Sequence, residues 1–283
     1  MLYNNYNYSF KKGGFALNKK QQWALFCGRL VPIASAIATF FMTFAVLFCY
    51  EKSSNYFEPN AIIPVLATIW AILGLFTAVI FAIIIPKEEI TSHSPFTANL
   101  TVALPAALGF GIGAILLVIE FAKTQSISTL VTVLLLLLSA AYVLLSETER
   151  INSILGFIPP IAIAVLVGIL YFDASLEMNA PLKVAVQTAL LPLMLYFTTE
   201  LRYLLNREIP RLYLALALIS VALASLCILA IPVAFLTGIL ENTNCLAGSL
   251  VVTGNIITIL LKFKRHLYPI PSPENDTKET DAQ

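Results

Sequence analysis

The chain has 283 residues, of which 59% are hydrophobic and only 12% charged, with a formal net charge of +1 at pH 7. A charged share about half that of a soluble domain cannot cover a water-exposed globular surface, so lipid must be the main solvent. Basic residues dispersed along a nearly neutral chain also remove any case for nucleic-acid binding.

A helix crossing the hydrocarbon core needs roughly 20 apolar residues, and an open strand is excluded because its backbone groups go unpaired in lipid. A membrane barrel needs shorter segments of alternating polarity, whereas Leu134 to Leu138 is continuously apolar. The expected fold class is therefore all-α, a polytopic helical membrane protein with about eight transmembrane helices and with both termini cytoplasmic.

Residues 1–28 form the expected cytoplasmic N-terminal segment, with Tyr3, Tyr6 and Tyr8 followed by Lys11, Lys12, Lys19 and Lys20. They lack the apolar core and small-residue cleavage site of a signal peptide, so the first membrane helix is expected to act as the insertion signal. The transmembrane domain is expected over 29–262, with spans near 29–50, 61–85, 97–120, 127–146, 152–172, 183–204, 212–239 and 243–262. Short connections make successive helices antiparallel neighbours. The seventh span is long and carries Pro232, which predicts a tilted, kinked helix. Residues 263–283 contain Pro269, Pro271 and Pro273 among polar residues and read as a disordered cytoplasmic tail.

Orientation follows the bias of Lys and Arg, since cationic loops stay in the cytoplasm. With the N-terminus inside, 14 basic residues fall on the cytoplasmic side, and only Lys52, Lys123 and Lys183 on the other. Short loops and small size fit the bacterial cytoplasmic membrane.

The first span carries a stripe of Ser35, Thr39 and Thr43, and the third carries Thr97, Thr101, Pro105, Gly109 and Gly113 on one face. Small residues let helix backbones approach closely, so both stripes read as helix-packing faces. The alternative for the third is that its glycines beside Pro105 expose carbonyls to a substrate. Pro159, Pro160, Pro192 and Pro232 are expected at depth, each freeing one carbonyl.

The sixth span places Thr188, Pro192, Tyr196 and Glu200 every fourth residue, hence on one face, with Gln187 beside the deep end. Asn255, near the middle of the eighth span, is the candidate partner of Gln187 and Thr188 at a weakly polar midplane site. A carboxyl near the membrane needs water or a cation, and Arg202, Arg207 or Arg150 supplies one for Glu200 in a cytoplasmic gate. An interfacial Glu–Arg anchor accounts for the same residues. The Tyr142, Glu147, Arg150 sequence faintly echoes Tyr196, Glu200, Arg202, which a shared interfacial role explains. Glu147 and Arg150 are spaced to pair locally, and Glu120 beside Lys123 is expected to reach water.

Three aspartates, Asp173, Asp276 and Asp281, lie outside the spans, and His93 and His266 are far apart. Neither paired-aspartate chemistry nor a histidine metal centre fits, and no nucleotide-binding loop is present. Cys27, Cys49, Cys227 and Cys245 show no CxxC pair and read as free thiols. The expectation is no enzyme, no metal and no cofactor. The leading function is a small-solute transporter or permease-like protein without its own ATPase, contacting the lipid bilayer and a small-molecule solute. The alternative is a structural or regulatory subunit that binds a second copy or another membrane protein through its helices.

Overall fold

The computed structural model describes residues 19–85, 96, 99–147, 153–207 and 209–267. Thr97, Lys87, His93, Glu149, Arg150, the first 18 residues and the tail from residue 268 lie outside the described residues, and with them the local pairing of Glu147 with Arg150. Nine α-helices carry the fold among the described residues: α1 (Lys19–Cys49), α2 (Ile62–Ile84), α3 (Leu100–Thr124), α4 (Ile127–Ser146), α5 (Ile158–Phe172), α6 (Pro181–Leu204), α7 (Pro210–Ala224), α8 (Ala230–Leu236) and α9 (Thr243–Leu267). A two-residue hairpin, β1 (Tyr50–Glu51) with β2 (Tyr56–Phe57), follows α1 in antiparallel register, Tyr50 opposite Phe57. Seven helices contain stretches long and apolar enough to cross a membrane, from Phe26–Cys49 in α1 to Thr243–Phe263 in α9. The protein is thus a multi-pass helical membrane protein.

Local chemistry sets the helix ends. Asn99 caps α3 by accepting from the Thr101 N–H at 2.9 Å, and Gln125 ends that helix in the left-handed region at φ 49°. Asn242 caps α9 by accepting the Cys245 N–H at 2.7 Å. Pro181 and Pro210 open α6 and α7, where a missing N–H costs nothing.

The same effect corrects the expected kinks. Pro159 and Pro160 lie in the first turn of α5, after a short 3-10 turn at Ser153–Phe157, and Pro232 lies in the first turn of α8. None of the three interrupts a helix, whereas Pro192 and Pro105 do stand inside α6 and α3. The expected long seventh span is broken, but at Ser225–Leu229 rather than at Pro232. The break satisfies itself: Cys227 N–H and Ile228 N–H both donate to the Ala224 carbonyl, and Ser225 Oγ donates to that of Ala222 at 2.6 Å. Together α7 and α8 still traverse the bundle. They run from Arg211, whose Nη2 donates to the Ile85 carbonyl at 3.1 Å, to the opposite end, where Glu241 meets Lys52 at 2.8 Å.

Helix α9 is the axis, packed against α3, α6, α7, α8 and α5, and its span is the most buried of the seven at 72%. It touches α3 almost backbone to backbone. A Cβ at Gly109 would lie 2.7 Å from the Leu250 carbonyl oxygen and 3.0 Å from the Gly254 Cα, and one at Gly254 would strike the Pro105 carbonyl oxygen. A Cβ at Gly113 would lie 2.8 Å from Val251 Cγ2. Thr258 Oγ1, one turn along α9, accepts the Ala106 N–H of α3 at 3.1 Å. On α1 the hydroxyls turn inward on their own helix: Ser35, Thr39 and Thr43 each donate to the carbonyl four residues back, at 2.8 to 2.9 Å.

Replacing Gly254 with Leu should destabilise the protein by more than the ~1–3 kcal/mol typical of overpacking, because the obstacle is backbone. Gly111, with open space around it, should accept Ala at no such cost. Unfolding midpoints in detergent of Gly254→Leu and Gly111→Ala check the contrast.

Candidate functional site

Three charged side chains from three helices meet inside one end of the bundle. Lys262 on α9, only 5% exposed, sits with its Nζ 2.9 Å from Glu200 Oε1 on α6 and 3.4 Å from Glu147 Oε1 at the end of α4. Glu200 is 2% and Glu147 4% exposed. Charges withdrawn from water this far are tolerated only when paired, and each carboxylate here has the ammonium within reach. The Lys262 ammonium also lies over the ring of Phe96, 5.9 Å from its centroid.

A hydroxyl pair continues the cluster. Tyr196, one turn before Glu200, donates to Glu200 Oε1 at 3.4 Å and shares a 2.9 Å hydrogen bond with the hydroxyl of Tyr213 on α7. Tyr142, buried on α4, belongs to the same core. A small cavity opens on the cluster, lined by Tyr196, Glu200, Asn255, Thr258 and Lys262 among others, with about 10 Å³ for the centre of a water-sized molecule. That is room for about one water. Asn255 donates one amide N–H to the Val251 carbonyl of its own helix at 2.8 Å.

Of the residues expected to form the site, Tyr196, Glu200 and Asn255 are brought together. Gln187 and Thr188 are half-buried, more than two turns earlier on α6, roughly 12 Å along the helix from Tyr196. They line no part of this cavity, so the expected midplane trio does not assemble. The expected arginine gate is also corrected. Arg202 and Arg207 are exposed, and Arg202 Nε donates to the Arg207 carbonyl at 3.2 Å, closing the end of α6. The cation at Glu200 is Lys262, because Glu200 faces inward to α9 while Arg202, two residues on, faces out.

Lys262 was legible only as a loop cation at the end of the last span. The missed signal is Asn255, Thr258 and Lys262 at spacings of three and four, which puts all three on one face of α9. Glu120, partly buried, lies 3.8 Å from the exposed Lys123.

The other end of the bundle carries a second polar cluster that sequence reasoning also missed. Lys183, 1% exposed, donates to the backbone carbonyls of Asp173 at 2.7 Å and Leu176 at 3.2 Å. The Asp173 carboxylate accepts from Asn242 at 2.8 Å, from Asn244 at 2.7 Å and from the Ser175 N–H at 2.9 Å. Burial pushes the Asp173 carboxyl up, but the hydrogen bonds from Asn244, Asn242 and Ser175 outweigh it and hold the group below its ordinary value. These contacts tie the α5–α6 loop to the start of α9 and leave no charge unanswered.

All four cysteines are free thiols. Among the described residues no three His, Cys, Asp or Glu side chains gather as a metal site. Fold and buried charges together define a multi-pass membrane protein with a buried ion cluster at one end of its helix bundle. Set against protein-family models, curated proteins and solved structures, the chain matches none.

Lys262→Met leaves two buried carboxylates without their cation and should cost ~3–5 kcal/mol. Adding Glu147→Gln and Glu200→Gln should recover part of that loss, a non-additivity that denaturant titration of the single, double and triple variants measures. At the far end, a depressed Asp173 pKa contributes stability that is present above the unfolded value of ~3.9 and lost as pH falls through the lower folded value. The stability gap between wild type and Asp173→Asn should therefore be constant near neutrality and close below about pH 4, which denaturation midpoints between pH 3 and 7 check.

Proposed function

We propose that this protein is a permease-like carrier of a small solute, without an ATPase or any catalytic role of its own, and that the Glu147–Lys262–Glu200 cluster is the latch of one of its gates. The observation that carries this reading is the burial of all three charges on three different helices. A purely structural bundle has cheaper ways to join helix ends, since apolar packing replaces a buried ion pair at little or no cost. Intramembrane charges are more often retained where a pathway needs them. The small cavity behind the latch fits an occluded state in which the pathway is closed.

The expected location is the bacterial cytoplasmic membrane with the latch end in the cytoplasm. The end that carries Lys262 also carries Arg29, Arg202, Arg207 and Arg211, in line with the cationic bias of cytoplasmic segments. The second reading, a structural or regulatory subunit, finds less support, because the glycine face expected to bind a partner helix is filled by α9 of the same chain.

Solvent access separates the two. In a background lacking the native cysteines, single cysteines at Asn255 and Ser146 should react slowly with a membrane-impermeant maleimide. If the cluster is a latch, Glu200→Gln should raise both rates about tenfold, the effect of shifting an open–closed equilibrium by ~1.4 kcal/mol. Unchanged rates alongside a lowered unfolding midpoint would assign the cluster to structure.

A further inference from the structure

The groups around the Lys262 ammonium make a site in their own right. Glu200 Oε1 accepts from it at 2.9 Å, Glu147 Oε1 lies at 3.4 Å, and the face of Phe96 lies at 5.9 Å. Two carboxylates and an aromatic face are the elements that recognise a cation, and the carboxylates add acceptors for N–H donors. The adjoining cavity carries the Glu200 carboxylate beside the Asn255 amide and the Thr258 hydroxyl. Asn255 donates one amide N–H to its own helix and keeps its amide oxygen as an acceptor, and Thr258 Oγ1 accepts from Ala106 N–H. An anion entering here would meet two carboxylates. Neither Arg202, which donates to the Arg207 carbonyl, nor Arg211, which donates to that of Ile85, lines this cavity.

We propose that Glu147, Glu200 and Phe96, the groups that surround Lys262 Nζ, make a binding site for a small cation bearing N–H donors, a primary ammonium or ammonium itself, and that the Lys262 ammonium occupies it as a tethered stand-in until that cation displaces it. The proposal deepens the carrier reading by naming a solute class, and it rests on that reading for its purpose. In the closed state Lys262 satisfies the carboxylates, so the gate stays shut without a ligand. A free ammonium that takes its place preserves the charge balance while releasing α9 from α4 and α6. A quaternary ammonium has no N–H to give the carboxylates.

The test uses the purified full-length protein in detergent, with unfolding midpoints followed against methylammonium chloride and, at equal ionic strength, tetramethylammonium and sodium chlorides. Wild type should show a saturable rise with methylammonium alone. Lys262→Ala, freed of its internal competitor, should reach half-saturation at a concentration at least tenfold lower, about the effect of removing a competing occupant worth ~1.4 kcal/mol. The Glu147→Gln/Glu200→Gln variant should not respond. A response in Lys262→Ala with none in wild type would make Lys262 a structural lysine and overturn the proposal. So would an equal response to tetramethylammonium, or no response in any variant. If Lys262→Ala does not fold, wild type against the double Gln variant decides the matter by the same criteria. Methylammonium binding to wild type without methylammonium flux in proteoliposomes would uphold the site and sink the carrier reading, so the two fail separately.

Discussion

The whole bundle depends on how closely α9 can approach α3. In lipid there is no hydrophobic force to press helices together, so contact must come from fit, and the fit here is backbone on backbone at Gly109 and Gly254. That contact brings the axial helix near enough for Thr258 to take the Ala106 N–H across the interface. It also fixes the depth at which the far end of α9 presents Lys262. A side chain at either glycine would push the axis outward and separate the lysine from both of its carboxylates.

The cost of withdrawing an ammonium and two carboxylates from water is large, and their mutual attraction offsets it only when the geometry is good. Lys262 has a long stem and stands near a helix end, so it has the ordinary option of reaching out to the interface. It instead turns inward, to Glu200 at 2.9 Å and Glu147 at 3.4 Å. Three helices distant in the chain, α4, α6 and α9, are held by one group, and anything that changes the charge of that group loosens all three together.

Hydropathy was enough to find the helices, because length and greasiness alone decide which segments can cross a bilayer; the boundaries of α4 and α6 lie within a few residues of those expected. Turn chemistry was harder. Pro159, Pro160 and Pro232 read as interruptions at depth because one sequence does not show where a helix begins, and a proline in the first turn leaves the helix intact. The break at Ser225–Leu229 carries no proline or glycine at all, so nothing local announces it. The site was half legible. The fourfold spacing of Tyr196 and Glu200 put them on one face, but the identity of the facing cation is a tertiary fact. Arg202 and Arg207, adjacent in sequence, look outward, and Lys262, 62 residues away, looks in.

The two ends of the bundle solve the problem of buried polarity differently, and the difference bears on where the molecule can open. At the Asp173 end every partner is a backbone carbonyl, an amide or a hydroxyl, and Lys183 is held by the carbonyls of the loop it supports. Each charge there is held by several short bonds from uncharged groups, with no opposite charge among the partners named. At the Lys262 end the partners are full charges, and a mobile ion or water can replace either member of a charged pair. Between the two lies the glycine contact, which leaves no slack for α9 to slide along α3. The geometry therefore places the contacts between opposite buried charges at one end of an axis held in its middle by close backbone packing.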